Sequence, residues 1–428
     1  MSFGITTRNG VSLGLGTTPS LVKSPPYATL RLNFLGSSAI DSILTFTRAS
    51  SQTYFDSTGT LQTATTNVAA FDYDPSTLVP LGLSMWEART NSIRNNTMVG
   101  AVAGTPGTVP TNWSVFSASG MATDVIGTGT SSGISYVDLR IHGTASATFY
   151  VFAMEAASNI AASSGQVWSE SLYAAIVGGS LNNIVAVNTN VRQQGGAAST
   201  FDAAMSLTSS LIRQPTSVAT LTASATYVIP AIYVQMTNGA AIDFTLRIGM
   251  PQLELGAFAT PVIATTTTAA TRAAPVCSTT NLGWYTQNIG TWVVAARSAI
   301  VSSGANQMMA RTSDNSYNNQ IAVSLSSTGF AALSTASGGV FDGLATAVAA
   351  ITANTSFKAA GAFAANDLAL SFNSAAVVTD SALTAPASQT VFNVGSDHAG
   401  ANHFNGWIAS LTYYPLRLPN ATLQSLST

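Results

Sequence analysis

Charge is what this chain lacks: Asp, Glu, Lys and Arg make up 7% of its 428 residues, where soluble domains usually carry about a quarter. The formal net charge is −2. Nucleic acids and anionic membranes both want a basic face, and this composition argues against either partner. Cysteine is nearly absent as well. Cys277 stands alone, so no intrachain disulfide can form and stability must come from packing and backbone pairing. No run approaches the ~18 apolar residues of a membrane span. The opening MSFGITTRNGVSLGLG has Arg8 inside it and no continuous apolar stretch; the expectation is a chain that folds in a cytoplasm without removal of a leader.

Ala, Ser, Thr, Gly and Asn fill the space that charge leaves. Such a neutral surface relies on hydroxyls and amides or is covered by further copies of the chain, and both suit an assembled particle. The length is enough for two or three domains, each with its own core. Strand signals are dense: SYVDLRI (135–141), ATFYVFAM (147–154), ATYVIPAIYVQM (225–236), IDFTLRIGM (242–250), TWVVAAR (291–297) and LALSFN (368–373) are parted by Gly, Asn, Ser, Thr and Pro clusters. In IDFTLRI the residues Ile242, Phe244, Leu246 and Ile248 share one face, as in a half-buried strand. The alanine-rich stretch 341–365 reads as strands and turns, given its interspersed Thr, Gly and Asn. One helix is expected, in LPNATLQSLS, with Asn420 as N-cap and Leu423 and Leu426 on one face.

The expected fold class is therefore all-β. An N-terminal arm (1–26) leaves through KSPPY, where two prolines force an extended exit. A small β collar module (27–97), a first β-sandwich (98–263), a threonine-rich linker (264–275) and a second β-sandwich of jelly-roll type (276–428) with a short C-terminal helix follow.

The stretch LTFTRASSQTYFDSTGTLQTATTNVAAFDYDP (44–75) gathers aromatics with Arg48, Asp56, Asp72 and Asp74. YFDSTGTL reads as strand, turn through Asp56 to Gly59, and strand. Phe71 and Tyr73 are expected inward, Asp72 and Asp74 outward, with Arg48 or Arg89 pairing Asp72 or Asp74. These charges read as turn formation and pairing in a collar, together with Glu87 and Arg89 of WEART.

Three segments carry a family resemblance. The stretch 44–75 followed by GLSMWEARTN (82–91) resembles the N-terminal module of bacteriophage head-spike, head-fibre or tail-fibre-like virion proteins. GTPGTVPTNWSVF, GTGTSSGISYVDLRIHGTA and IDFTLRIGMPQLELGAFATPVIATTTTAATRAA resemble a carbohydrate-binding-module-like sandwich, and VFNVGSDHAGANHFNGWIASLTYYPLRLPNATLQSLS (391–427) resembles the close of a concanavalin- or laminin-G-like domain. The resemblance implies a structural protein of the virion surface, folded in the bacterial host cytoplasm. Its arm would dock to capsid, portal-proximal or tail proteins, the chain would be a homotrimer, and host-surface glycans would be possible ligands. The alternatives are a purely architectural decoration protein and a glycan-degrading tailspike.

No enzyme is expected. A glycosidase needs two carboxylates some 5 to 9.5 Å apart, yet Glu87, Glu155, Glu170 and Glu254 are the only glutamates. Glu87 and Glu254 read as partners of arginines or backbone amides. His142, His398 and His403 are the only histidines, and no G-x-S-x-G elbow is present. Cys277 reads as a small apolar filler. GSDHAGANH gathers Asp397, His398 and His403, a plain polar loop or ligands for an ion; the resemblance to laminin-G-like domains makes Ca²⁺ the cofactor to consider. For glycans, Trp113, Trp168, Tyr173, Trp284, Tyr285, Trp292 and Trp407 supply candidate aromatic faces. Trp292 and Trp407 alternate like buried residues. Trp284 and Tyr285, in the turn-like NLGWYTQN, and Trp113 are the platform candidates, read equally as packing residues.

Overall fold

Alternation dictates the architecture. The strand Ala241–Leu255 buries Ile242, Phe244, Leu246 and Ile248 and turns Asp243 to solvent, so one face of its sheet must be covered by another sheet. The computed structural model describes residues 27–156, 158–195 and 200–428; the arm expected over 1–26 lies outside them. Among the described residues the strands form two antiparallel sandwiches, and the all-β expectation is borne out.

The first sandwich stacks two six-stranded sheets. One is centred on Val167–Ser180, Ala241–Leu255 and Ile134–Thr144; the other is centred on Ile184–Gln194 and Tyr227–Met236. Leu139, Phe152, Leu172, Val191 and Phe244 meet between them. The second sandwich stacks an eight-stranded sheet on a seven-stranded one, around Trp292, Met309, Ile321, Leu370, Phe392 and Tyr413.

The collar module is corrected. Leu30–Asn33 and Pro80–Met85 both pair with Gly406–Tyr414, Phe71–Tyr73 pairs with Pro80–Met85, and Thr45–Thr47 pairs with Val276–Thr279. Residues 27–85 are thus mostly strands of the second sandwich. Strands this short bury nothing alone, and Leu32, Phe46, Phe71 and Leu83 enter the same core as Trp292. The first sandwich is consequently inserted into the second. The threonine-rich linker is corrected too: Ala270–Arg272 pairs antiparallel with Arg89–Asn91, so the two crossings form a ribbon. Thr265 is buried, its N–H donating to Asn96 Oδ1 at 2.7 Å.

The alanine-rich stretch forms Val340–Ala350 and Ser356–Ala364. Ala359 faces the sandwich core while Ala360 and Ala362 face Leu418 and Leu423. Small side chains let the C-terminal helix lie close to the sheet. That helix, Asn420–Leu426, buries Leu423, but Pro419 holds the N-cap position and no side chain caps it. Asn420 instead accepts a bond from Arg417 Nη1 at 2.7 Å.

Pro230 sits inside Tyr227–Met236, where it offers no ladder N–H. Glu170, wholly buried on the facing sheet, accepts the Ala231 N–H at 3.2 Å. Burial pushes its carboxyl well above the ordinary carboxylate range, against the pull of the Ala231 and Asn190 N–H groups. Glu170→Gln keeps the shape and an acceptor without a charge, so its urea midpoint should correspond to a change within about 1 kcal/mol. Glu170→Ala should cost roughly 2–4 kcal/mol by leaving an unpaired N–H and a void.

Candidate functional site

The hairpin Gln52–Phe55 with Leu61–Ala64 bridges the two sandwiches. Its turn is as expected: Asp56 Oδ1 accepts from Thr58 N, Thr58 Oγ1 and Thr60 N at 2.9, 2.6 and 3.1 Å. The Thr58 hydroxyl first, then the other donors, hold this carboxyl down at about 2. Gly59 closes the turn at φ +74, a left-handed value that favours glycine. On one side Phe55 and Leu61 pack against Ile134, Tyr173, Met250 and Val262 of the first sandwich. Toward the second sandwich, Gln52 Nε2 donates to Ser84 Oγ at 2.8 Å and Phe55 N–H to Asp72 Oδ1 at 2.7 Å.

Beside the hairpin the seam opens into a cleft of about 670 Å³. The first sandwich and the segment leaving it contribute Tyr173, Ile212, Arg213 and Phe258; the hairpin contributes Tyr54 and Phe55; the second sandwich contributes Asp72, Tyr73, Asp74, Arg297 and Trp407. Clefts at such seams, apolar with a few placed polar groups, are where ligands usually bind.

Asp72 and Trp407 anchor the wall. Asp72 Oδ1 accepts the Phe55 and Tyr73 N–H groups, and Oδ2 accepts the Trp407 indole N–H at 2.8 Å. Burial raises this carboxyl to about 6, against the pull of those donors. Trp407 stands edge-on to Trp86, ring centroids 5.2 Å apart, and the Arg297 guanidinium lies 5.5 Å from its ring centroid. Arg297 Nη1 is 3.7 Å from Asp74 Oδ2, and its Nε is buried with no partner. Burial works against ionisation of Asp74, yet bonds from Thr77 and Ser76 N–H hold its carboxyl below the usual range. Arg213 uses Nη2 alone, donating to Ser171 Oγ at 2.8 Å and Thr260 O at 2.7 Å. Among the described residues its Nε and Nη1 have no partner and no carboxylate lies within 4 Å of it.

Among the described residues the cleft lining carries no histidine, glutamate or cysteine, and both oxygens of Asp72 are committed to N–H donors. Aromatic and apolar walls with guanidinium donors suit recognition of a polyhydroxylated ligand.

Several expectations are corrected. Arg48 pairs with no aspartate: its guanidinium donates to the carbonyls of Ser50, Ala64 and Thr65 and to Gln52 Oε1. Arg89 pairs with Glu87 at 2.6 Å. Asp72 is buried, because Trp407 and two backbone N–H groups draw it inward. Tyr285 is buried and Trp284 half-buried: Trp284 donates to Asn281 O at 2.9 Å and packs against Tyr285, Trp292, Phe392 and Tyr413 at centroid distances of 5.3–5.7 Å. Gly290 makes room for that cluster, since a Cβ there would fall 2.4 Å from the Tyr413 ring. Trp113 is buried, its indole N–H on Asn95 O at 2.9 Å.

The metal reading of the 395–403 loop is corrected as well. Asp397 Oδ1 accepts Ala399 and Ala401 N–H, and Oδ2 accepts Tyr317 Oη–H and Asn402 Nδ2–H. His403 Nε2 bonds Gly400 O at 2.8 Å, and His398 stacks edge-on against Tyr317. These groups staple the loop to itself and to Tyr317, and no group of three candidate ligands is gathered among the described residues. Sequence spacing missed Arg213 and Arg297 as site residues. Its one usable signal was the aromatic stretch 44–75, which supplies Tyr54, Phe55 and Tyr73.

No protein family model and no curated protein matches this chain. Among solved structures it is similar to the CBM40 module of the Ruminococcus gnavus IT-sialidase bound to α2,3-sialyllactose, at 15% identity and a TM-score of 0.30, covering 33% of this chain and 84% of that one. Domain 4 of AbnA, a GH43 extracellular arabinanase from Geobacillus stearothermophilus, in complex with arabinotriose, matches at 12% identity and a TM-score of 0.31, covering 40% and 81%. The CBM22 tandem of Paenibacillus barcinonensis Xyn10C covers 75% of this chain and 97% of its own at 10% identity and a TM-score of 0.25.

A carboxyl raised by folding binds its proton more tightly in the folded chain than in the unfolded one. The Asp72 contribution is therefore fully present below pH 4 and is lost as pH rises through about 6. Its full size is on the order of 3 kcal/mol. In urea melts at pH 4 and pH 7, Asp72→Asn should remove that downward step, while lowering stability at pH 4 because its amide opposes the Trp407 N–H.

Proposed function

We propose that this chain is an exposed glycan-binding protein and that the cleft between its sandwiches is the binding site. One observation carries the reading: Tyr54, Tyr73 and Trp407 line the same cleft as Arg213 and Arg297, so apolar faces and hydroxyl-binding donors stand together. The resemblance of residues 44–75 and 82–91 to the N-terminal module of phage fibre and spike proteins supports placing this adhesin on a virion surface. In that setting residues 1–26 dock to another virion protein and the chain assembles as a homotrimer. A glycan array probed with the full chain tests the reading. Binding should fall about tenfold or more in Tyr54→Ala, as expected for loss of a stacking face, with the melting curve retained. Absence of binding to every glycan sinks the proposal.

A purely architectural subunit is the second reading, and one observation favours it. Val340–Ala350 edges the seven-stranded sheet with Val340, Phe341, Leu344 and Val348 each 57–78% exposed. Apolar edges of this kind are normally covered by another chain. Sedimentation should show a self-associating species that the pair Phe341→Lys and Val348→Lys reduces to monomer; a monomeric parent chain at high concentration counts against it.

A further inference from the structure

We propose that the cleft selects acidic glycans, with a sugar carboxylate held by Arg213 and Arg297; this rests on the glycan-binding reading above. The two cations come one from each sandwich and line one cavity. Each is held in place by groups that leave donors over. Arg213 is fixed through Nη2 by Ser171 Oγ and Thr260 O, and its Nε and Nη1 remain unpaired among the described residues. Arg297 lies against the Trp407 ring, its Nε is shut away from the cleft, and its Nη1 and Nη2 make no hydrogen bond among the described residues.

A guanidinium edge left open is the geometry that a carboxylate fills with two parallel N–H···O bonds. The carboxylates already in the cleft do not fill it. Asp72 spends both oxygens on Phe55, Tyr73 and Trp407, and Asp74 Oδ1 is taken by Ser76 and Thr77 N–H. Only Asp74 Oδ2 approaches a cation, and at 3.7 Å it makes no hydrogen bond to Arg297. A neutral sugar would leave those donors bonded to water; a uronic or other sugar acid would satisfy them out of bulk solvent, where the bonds are stronger.

The test is an array on which each acidic oligosaccharide sits beside its carboxyl-reduced counterpart, the same sugar bearing CH₂OH in place of the carboxylate. The parent chain should prefer the acidic member by about tenfold, the size of one charge-assisted bond pair. Arg213→Gln and Arg297→Gln should each abolish that preference, and 0.5 M salt should weaken it. Equal binding to acidic and reduced members overturns this inference and leaves glycan binding standing. Binding to neither overturns both, and the comparison needs no variant to fold.

Discussion

Two chain crossings must pass between the sandwiches without leaving buried backbone groups unpaired, and Arg272 meets most of that demand. Its guanidinium is fully buried and donates to Thr260 Oγ1, Pro261 O and Glu87 O. Burial pulls it down to about 10, so it remains a cation at neutral pH. Isolated burial of a charge is costly, and here the cost is offset in part by one hydroxyl and two carbonyl acceptors, while Nε is left without a partner among the described residues. Asn91 joins Pro251, Leu253 and Ile263, Asn405 brackets Glu87, and Asn96 closes on Thr265. A seam so fully cross-bonded fixes the relation of the two sandwiches. The cleft depends on that relation, because its walls belong to different sandwiches.

The scarcity of charge acquires a meaning from this placement. Glu155, Glu170 and Glu254 are wholly buried, and Arg48, Arg89, Arg272 and Arg311 are nearly so, the reverse of the usual distribution. Glu155 grips Arg94 at 2.7 Å, and Glu254 receives the Thr260 N–H and hydroxyl. These buried groups serve as internal braces, and the few charges left outside, such as the Arg140–Asp243 pair, stand among hydroxyls and amides.

Local chemistry was readable from the sequence and long-range partnership was not. Alternation in IDFTLRI and the Asp56 turn each depend on neighbours within a few positions. The pairing of Leu30 with Tyr413 depends on a partner at the far end of the chain, and nothing in a hydrophobic period names it. That is why residues 27–85 read as a module of their own. Trp284 misled for a related reason: its turn is polar, but Trp292, Phe392 and Tyr413 reach it from strands whose approach no spacing reveals. Asp72 of FDYDP was legible as a strand residue, whereas the inward pull on it comes from an indole over three hundred positions away.

Insertion of one sandwich into another also orders events during synthesis. The first sandwich is continuous in sequence and can close as soon as its own strands emerge, in keeping with domains folding as units on the ribosome. The second cannot. Leu30, Leu32 and Phe71 leave the ribosome well before the strand Gly406–Tyr414 that organises their sheet, with the whole first sandwich made in between. Pairings this distant in sequence are slow to form. Until that strand emerges, the chain carries a finished sandwich on a tether of waiting apolar strands, and the cleft is completed only when Trp407 arrives to form its wall.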